Sequence, residues 1–316
     1  MRRLIAALLC TAAAAALAQP TAGDYPNRAV RVVVCFPVGS APDIVARQLG
    51  EKLARQWKQG VVVDNRVGAD CMIANDAVAK AAPDGYTLYL ATMGALALNP
   101  SIIDKLPYDP LAAFAGITFV ADNPFAILLR SDMAVRSVLE LAQLSRTRSG
   151  GLNYGSAGTL GPLIGSVFRK SIDAPLTLVP YKGVQPALVD LLGAQIDLVI
   201  GDLPSLLPPH RQGRARLLVV TSARRAPLAP EVPTMTESGY RDFDFSTWYA
   251  LVAPGATPRA VIERVNGDAV GALQSSELRQ QLLTLGMQAQ PSRPETVDAL
   301  IRSDIAKWAA LVRESK

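Results

Sequence analysis

One histidine, His210, limits the chemistry open to this chain of 316 residues. It follows Pro208 and Pro209 at the end of an apolar turn and reads as a surface or loop residue. A Ser-His-Asp relay would have to pass through it. The nucleophile elbow G-x-S-x-G is missing: Gly155-Ser156-Ala157-Gly158 has the wrong spacing, and Gly39-Ser40 runs into Ala41-Pro42. There is no C-x-x-C, H-x-x-x-H or Cys/His cluster for zinc. Gly155, Gly158 and Gly161 miss the dinucleotide spacing, and no Walker-type phosphate loop occurs. Nothing points to paired acid–base carboxylates. The expectation is a non-enzyme with no catalytic residue, no cofactor and no metal.

What remains is a set of small, nearly neutral turns: FPVGSAPD, RVGADCM, TMGALALNP, NYGSAGTLGP and PYKGVQPA. Each joins a strand-like run to a helix-like one. In parallel α/β sheets such turns gather at the carboxyl ends of strands, where ligands bind. A helix start there offers unpaired N–H groups and the positive end of its dipole, which suits a carboxylate without an arginine or lysine. The plainer reading is that glycine and serine only make tight turns and caps. Asp43 has two readings, as a first-turn acid complementing the dipole or as a cleft acceptor for a ligand ammonium.

The elements that position these turns alternate strand and helix, the mark of an α/β fold. AVRVVVCF, GVVVDNR and YTLYLATM read as strands, with helices from Val45 to Trp57 and over ANDAVAKAA. GITFVAD and PFAILLR read as two short strands around Asn123-Pro124. A second block follows: helix SVLELAQLSRTRSG, strand LNYGSAG, helix GPLIGSVFRKSI, strand LTLVPYKG, helix PALVDLLGAQ, a strand and turn in IDLVIGDLPS, and strand ARLLVVTS. FDFSTWYALVAPGATP returns as an apolar crossing segment, and two helices, VIERVNGDAVGALQ and VDALIRSDIAKWAALVRE, close the chain. The order predicts a signal segment 1–18, a first lobe of 19–123 with 246–316, and a second lobe of 124–245, with a ligand cleft between.

MRRLIAALLCTAAAAALA has a charged start, an apolar run and a small-residue end, the pattern of a cleaved export signal. Losing Arg2 and Arg3 leaves 30 basic against 27 acidic residues, a net charge of +3 in place of +5. No basic stripe suggests nucleic acid, and no later run suits a membrane span. The expected location is the periplasm. Cys35 and Cys71 remain after export, either as two buried thiols or as one disulfide worth roughly 4 kcal/mol. Trp57, Trp248 and Trp308 read as packing residues.

In order and spacing, the chain resembles the Bug-type solute-binding proteins of the tripartite tricarboxylate transporters. The matching stretches include YPNRAVRVVVCFPVGSAPDIVAR, GVVVDNRVGA, AAPDGYTLYLAT, NPSIIDKLPYDPLAAF, LNYGSAG, VPYKGVQPALVDLLGAQID and LVAPGATP. The resemblance implies an α/β, type II periplasmic binding fold, with two lobes joined by a two-strand hinge around a central cleft. It implies a monomeric receptor for a small carboxylate, such as an amino acid, dicarboxylate or aromatic acid. Delivery would be to the membrane subunits of a transporter or to a sensor kinase. A hydrolase or isomerase on the same fold is the weaker alternative. Carried over by position, the ligand-binding residues are Phe36, Pro37, Val38, Gly39, Ser40, Ala41 and Asp43, then Thr92 and Met93 at the cleft floor. Facing them are Ser156, Ala157, Gly158 and Thr159, with Lys182, Gly183 and Asp202 on the far side. The chain departs from the family where FPPGGGTD becomes FPVGSAPD and RPGAGGNIG becomes RVGADCMIA. Pro42 removes a donor, and Asp70 would oppose a second ligand carboxylate. Cys35 and Cys71 flank one end of the cleft.

Overall fold

The computed structural model describes residues 25–157, 160–241 and 243–315; the expected signal segment 1–18 lies outside the described residues. The valine-rich β1 (Val30–Val34) is buried at all but one position, as a central parallel strand must be. β2 (Val61–Asn65) and β3 (Thr87–Thr92) flank it, both parallel. Helices α1 (Ala41–Trp57) and α2 (Met72–Ala79) supply the crossovers. α1 buries Val45, Leu49, Leu53 and Trp57 at helical spacing against Val30, Val32 and Leu88. It starts four residues before the expected Val45, because Pro42 suits a first helical turn.

The largest departure from the sequence reading falls at Asn123-Pro124. A single 17-residue strand, β4 (Phe114–Arg130), replaces the two short ones. Phe114–Pro124 pair with β9 (Ser246–Pro254), and Phe125–Leu129 pair with β7 (Leu198–Asp202). Pro124 therefore sits where the strand changes partners, a place that tolerates a missing N–H. The first sheet runs β2-β1-β3-β9-β4, with β10 (Gln288–Ala289) also on β4. The second runs β4-β7-β5-β6, where β5 is Leu152–Ala157 and β6 is Leu176–Tyr181, with β8 (Ala215–Val220) also on β4. The return crossing is knitted to β4: the Thr221 amide donates to Phe125 O (2.9 Å), and the Phe245 amide donates to Thr221 O (2.8 Å).

Around these sheets lie α3 (Asn99–Ile102), α4 (Val138–Thr147), α5 (Leu160–Ile172), α6 (Val184–Leu192) and α7 (Leu203–Arg211). α7 replaces an expected turn. It carries Pro208 and Pro209 inside and leaves His210 half-buried near its end, where Nδ1 accepts from the Leu217 amide at 3.4 Å. Its Nε2 lies 3.2 Å from Glu231 Oε1. After β9, three helices rather than two follow: α8 (Arg259–Gln274), α9 (Ser276–Thr284) and α10 (Pro294–Ser315). α10 packs on β4 and reaches α5 of the second lobe. Among the described residues, no helix is long and apolar enough to cross a membrane.

Candidate functional site

Asp43 organises the first-lobe loop. Its Oδ2 accepts from the Gly39 amide (2.8 Å) and Arg47 Nε (3.0 Å), and its Oδ1 accepts from Asn65 Nδ2 (2.8 Å). Asn65 also donates to Phe36 O at 2.9 Å, tying the loop to the end of β2. Burial pushes the Asp43 carboxyl up, but the hydrogen bonds from Arg47, Gly39 and Asn65 outweigh it and hold it below the usual carboxylate range. The residue is 1% exposed. Its carboxylate is spent on the loop, so the ammonium-acceptor reading of Asp43 is set aside. Gly39 adopts φ +82°, a left-handed geometry that favours glycine. The Ser40 amide turns back to Pro37 O (3.1 Å). The expectation that the whole loop offers donors is thus narrowed, since two of its amides are engaged internally. Pro37 and Val38 are exposed at the tip, Ser40 and Ala41 are half-buried, and Phe36 packs against the core.

The second turn is unusual. Ala69, Asp70 and Cys71, none of them glycine, all have left-handed φ of +46°, +49° and +71°. Such geometry costs roughly 1–2 kcal/mol per residue. Two ties hold it: Cys71 is disulfide-bonded to Cys35 at the end of β1, and Asn99 Nδ2 donates to Asp70 O at 2.6 Å. The segment is therefore fastened to the turns after β1 and β3. Thr92 and Met93 open the turn after β3. Thr92 Oγ1 accepts from the Ala95 amide (3.3 Å), and the Met93 side chain, 1% exposed, lies in the core. The Met93 side chain is therefore not available to a solute, which leaves only its backbone for the candidate site.

On the second lobe the same rule holds. Ser156 is 1% exposed and its hydroxyl donates to Ile200 O at 2.8 Å, so it points into the lobe. Gly161 makes room for it: a Cβ there would stand 2.0 Å from Ser156 Oγ. Ala157 pairs with Tyr181, which brings Lys182 and Gly183 beside the end of β5. Lys182 is exposed and Gly183 half-buried. Gly158 and Thr159 lie outside the described residues. Asp202 Oδ2 accepts from the Ser205 amide (3.1 Å) and hydroxyl (2.7 Å), capping α7.

Residues that sequence reasoning missed complete the floor. Tyr249 of β9 pairs with Thr92 of β3, and strand alternation puts both side chains on one face. Burial, and then the charge of Asp202, pushes its phenol up, so it stays neutral. Asn65 and Asn99 were missed too. An asparagine at a strand end, as Asn65, or at a helix start, as Asn99, is a weak signal, because their partners lie 22 and 29 residues away. The arrangement is rich in backbone groups and poor in nucleophiles. Among the described residues, no group of three or more His, Cys, Asp or Glu is placed to hold a metal.

Two α/β lobes, hinged by β4 and β9 with strand-end turns facing between them, define a periplasmic binding protein of type II. The family model described as tripartite tricarboxylate transporter family receptor matches residues 45–316, and the chain belongs to that family. Protein BugT of Bordetella pertussis is 34% identical over 100% of this chain and 98% of its own length. An R. palustris protein solved with adipate is 31% identical, with TM-score 0.74 over 92% of this chain and 98% of that one. MatC of Rhodopseudomonas palustris, with bound malate, is 28% identical, with TM-score 0.69 over 91% and 100%. The protein is thus a periplasmic solute-binding receptor and not an enzyme.

Proposed function

We propose that this receptor binds a small carboxylated solute between lobes 19–123 with 246–316 and 124–245, and hands it to the membrane subunits of a tripartite tricarboxylate transporter. Residues 1–18 direct export and are removed, and the mature receptor acts as a monomer. The observation that carries this reading is the meeting of strand-end turns from two sheets across one hinge. β1, β3, β5, β6 and β7 all end toward it. The lobe division is supported by the change of sheet at Pro124–Phe125 and by the return at Phe245–Ser246.

A carboxylate fits the unpaired first-turn amides of α1, at Ala41 and Asp43, with Pro42 contributing none. Asp43 beside them is already neutralised by Arg47, so its charge is muted where the ligand would sit. Ligand contact with both lobes favours the closed arrangement, which a transporter can then distinguish from the empty one. The malate and adipate in the two relatives support the ligand class. Isothermal titration of mature protein with amino acids, dicarboxylates and aromatic acids tests the reading. A true ligand at 100 times its Kd adds about 2.7 kcal/mol of stability. If no carboxylate gives heat or raises the melting temperature, the receptor reading fails.

A further inference from the structure

We infer that Asp70 selects the solute, and that the preferred ligand carries a carboxylate at one end and a protonated amine at the other. This rests on the receptor reading above and narrows its substrate class. Three observations meet at this residue. Asp70 holds φ +49°, so its side chain is presented from a left-handed backbone that usually belongs to glycine. The turn is pinned by the Cys35–Cys71 bond and by Asn99, which fasten it above the carboxyl ends of β1 and β3, on the cleft side of the first lobe. And the Asp70 carboxylate is exposed, with no hydrogen bond or ion pair among the described residues.

The neighbouring charges are already engaged. Asp43 is paired with Arg47 at 2.9 Å and Asp64 with Arg66 at 2.9 Å. Among the turns directly at the carboxyl ends of β1, β2 and β3, Asp70 is therefore the acidic group left open. On the second lobe Lys182 is exposed at the end of β6. β2 and β6 are the outermost strands of their sheets, so the turns carrying Asp70 and Lys182 lie toward the open side, away from the hinge. A cleft with an open anion on one lobe and an open cation on the other fits a dipolar solute. A plain dicarboxylate would bring its second charge against Asp70, which penalises it.

Matched pairs of equal chain length test this directly: succinate with 4-aminobutanoate, glutarate with 5-aminopentanoate, and adipate with 6-aminohexanoate. Calorimetric titration should show at least tenfold tighter binding of the amino member in the best-fitting pair. Asp70→Asn keeps the shape, and asparagine tolerates left-handed backbone. It should weaken the amino member at least tenfold, leave the dicarboxylate equal or tighter, and leave the melting temperature unchanged. Asp70→Gly, free of any side-chain strain, should lose the same preference. Tighter binding of the dicarboxylates to the native chain overturns the inference while leaving the receptor reading intact. So does an unchanged ratio in both variants. Equal loss of both members in Asp70→Asn also overturns it, because Asp70 would then serve lobe closure and not ligand choice. Binding of neither member in any pair, together with silence across the wider carboxylate panel, removes the receptor reading and this inference with it.

Discussion

The two faces of the crossing strands treat charge in opposite ways. Thr92, Ala121 and Tyr249 share one face by register, toward the turns that form the candidate site. There the carboxylates are either paired, as Asp43 is, or held at the turn surface, as Asp70 is. Asp122 and Trp248 share the other face, which lines a pocket of about 610 Å³ with Asp244, Asp304 and Lys307. Here Asp122 and Asp304 are half-buried, and Asp122 is helped only by its own backbone amide and Gln290. Burial, with a smaller contribution from Asp244, pushes Asp122 up to about 6, and its Oδ1 has no partner. Burial also raises Asp304, although Trp248 Nε1 donates to it at 2.6 Å. Perturbed carboxyls are often a pointer to a functional site. In this molecule they lie on the face of β4 and β9 opposite Thr92 and Tyr249, whereas the proposed ligand face is built from backbone.

Four measurements test that contrast. The largest effect should come from the disulfide, which closes a loop between residues 36 positions apart. Cys35→Ser, or reduction, should cost about 4 kcal/mol and lower the melting temperature by about 10 °C. It should also weaken ligand binding, because the left-handed turn loses its main tie. Two free thiols in denatured native protein would contradict the bond.

Asp43→Ala should come next, at about 2–3 kcal/mol, reduced from a fully buried pair because Arg47 can reach water. Since the folded carboxyl titrates below its unfolded value, the native contribution is present above the unfolded pKa and is lost as pH falls through the folded one. The variant's stability should therefore converge on the native value in acid.

Asp122→Asn should act in the opposite direction. A carboxyl raised from 3.8 to about 6 stabilises most at low pH, and that contribution fades as pH rises between the two values. At pH 7.5 the variant should be more stable by on the order of 2 kcal/mol, with ligand affinity unchanged. Should Asp122→Asn abolish ligand binding while Asp43→Ala spares it, the assignment of the two faces is reversed. The smallest effect belongs to Gly39→Ala. A Cβ there meets nothing within 4 Å, so only the left-handed φ of +82° is penalised, by about 1 kcal/mol in an unfolding titration.

Much of the fold was legible in the sequence. Valine runs ending in glycine-rich turns and helices with apolar residues at 3.6-residue spacing need only local information. The family resemblance followed from the same stretches in order. The errors share one cause, which is that tertiary partners overrode local signals. Pro124 looked like a strand break, but β9 and β7 take successive parts of one strand and let it run through. Pro208 and Pro209 looked like a turn, but Asp202 caps a helix that carries them. At the site, residue types told where backbone would be offered and not which side chains would face the solute. Ser156, Met93 and Asp43 each turn inward because a partner far along the chain satisfies or buries them.

The alternation of strands and helices, the α/β class and the scarcity of catalytic groups follow from the residues in order, since these depend on composition and short-range periodicity. Whether Cys35 and Cys71 meet, which face Tyr249 shares with Thr92, and that Asp70 is left open at the strand ends depend on the folded chain. Those outcomes depend on strands brought side by side and on which donors each buried oxygen finds there, and no local pattern encodes either.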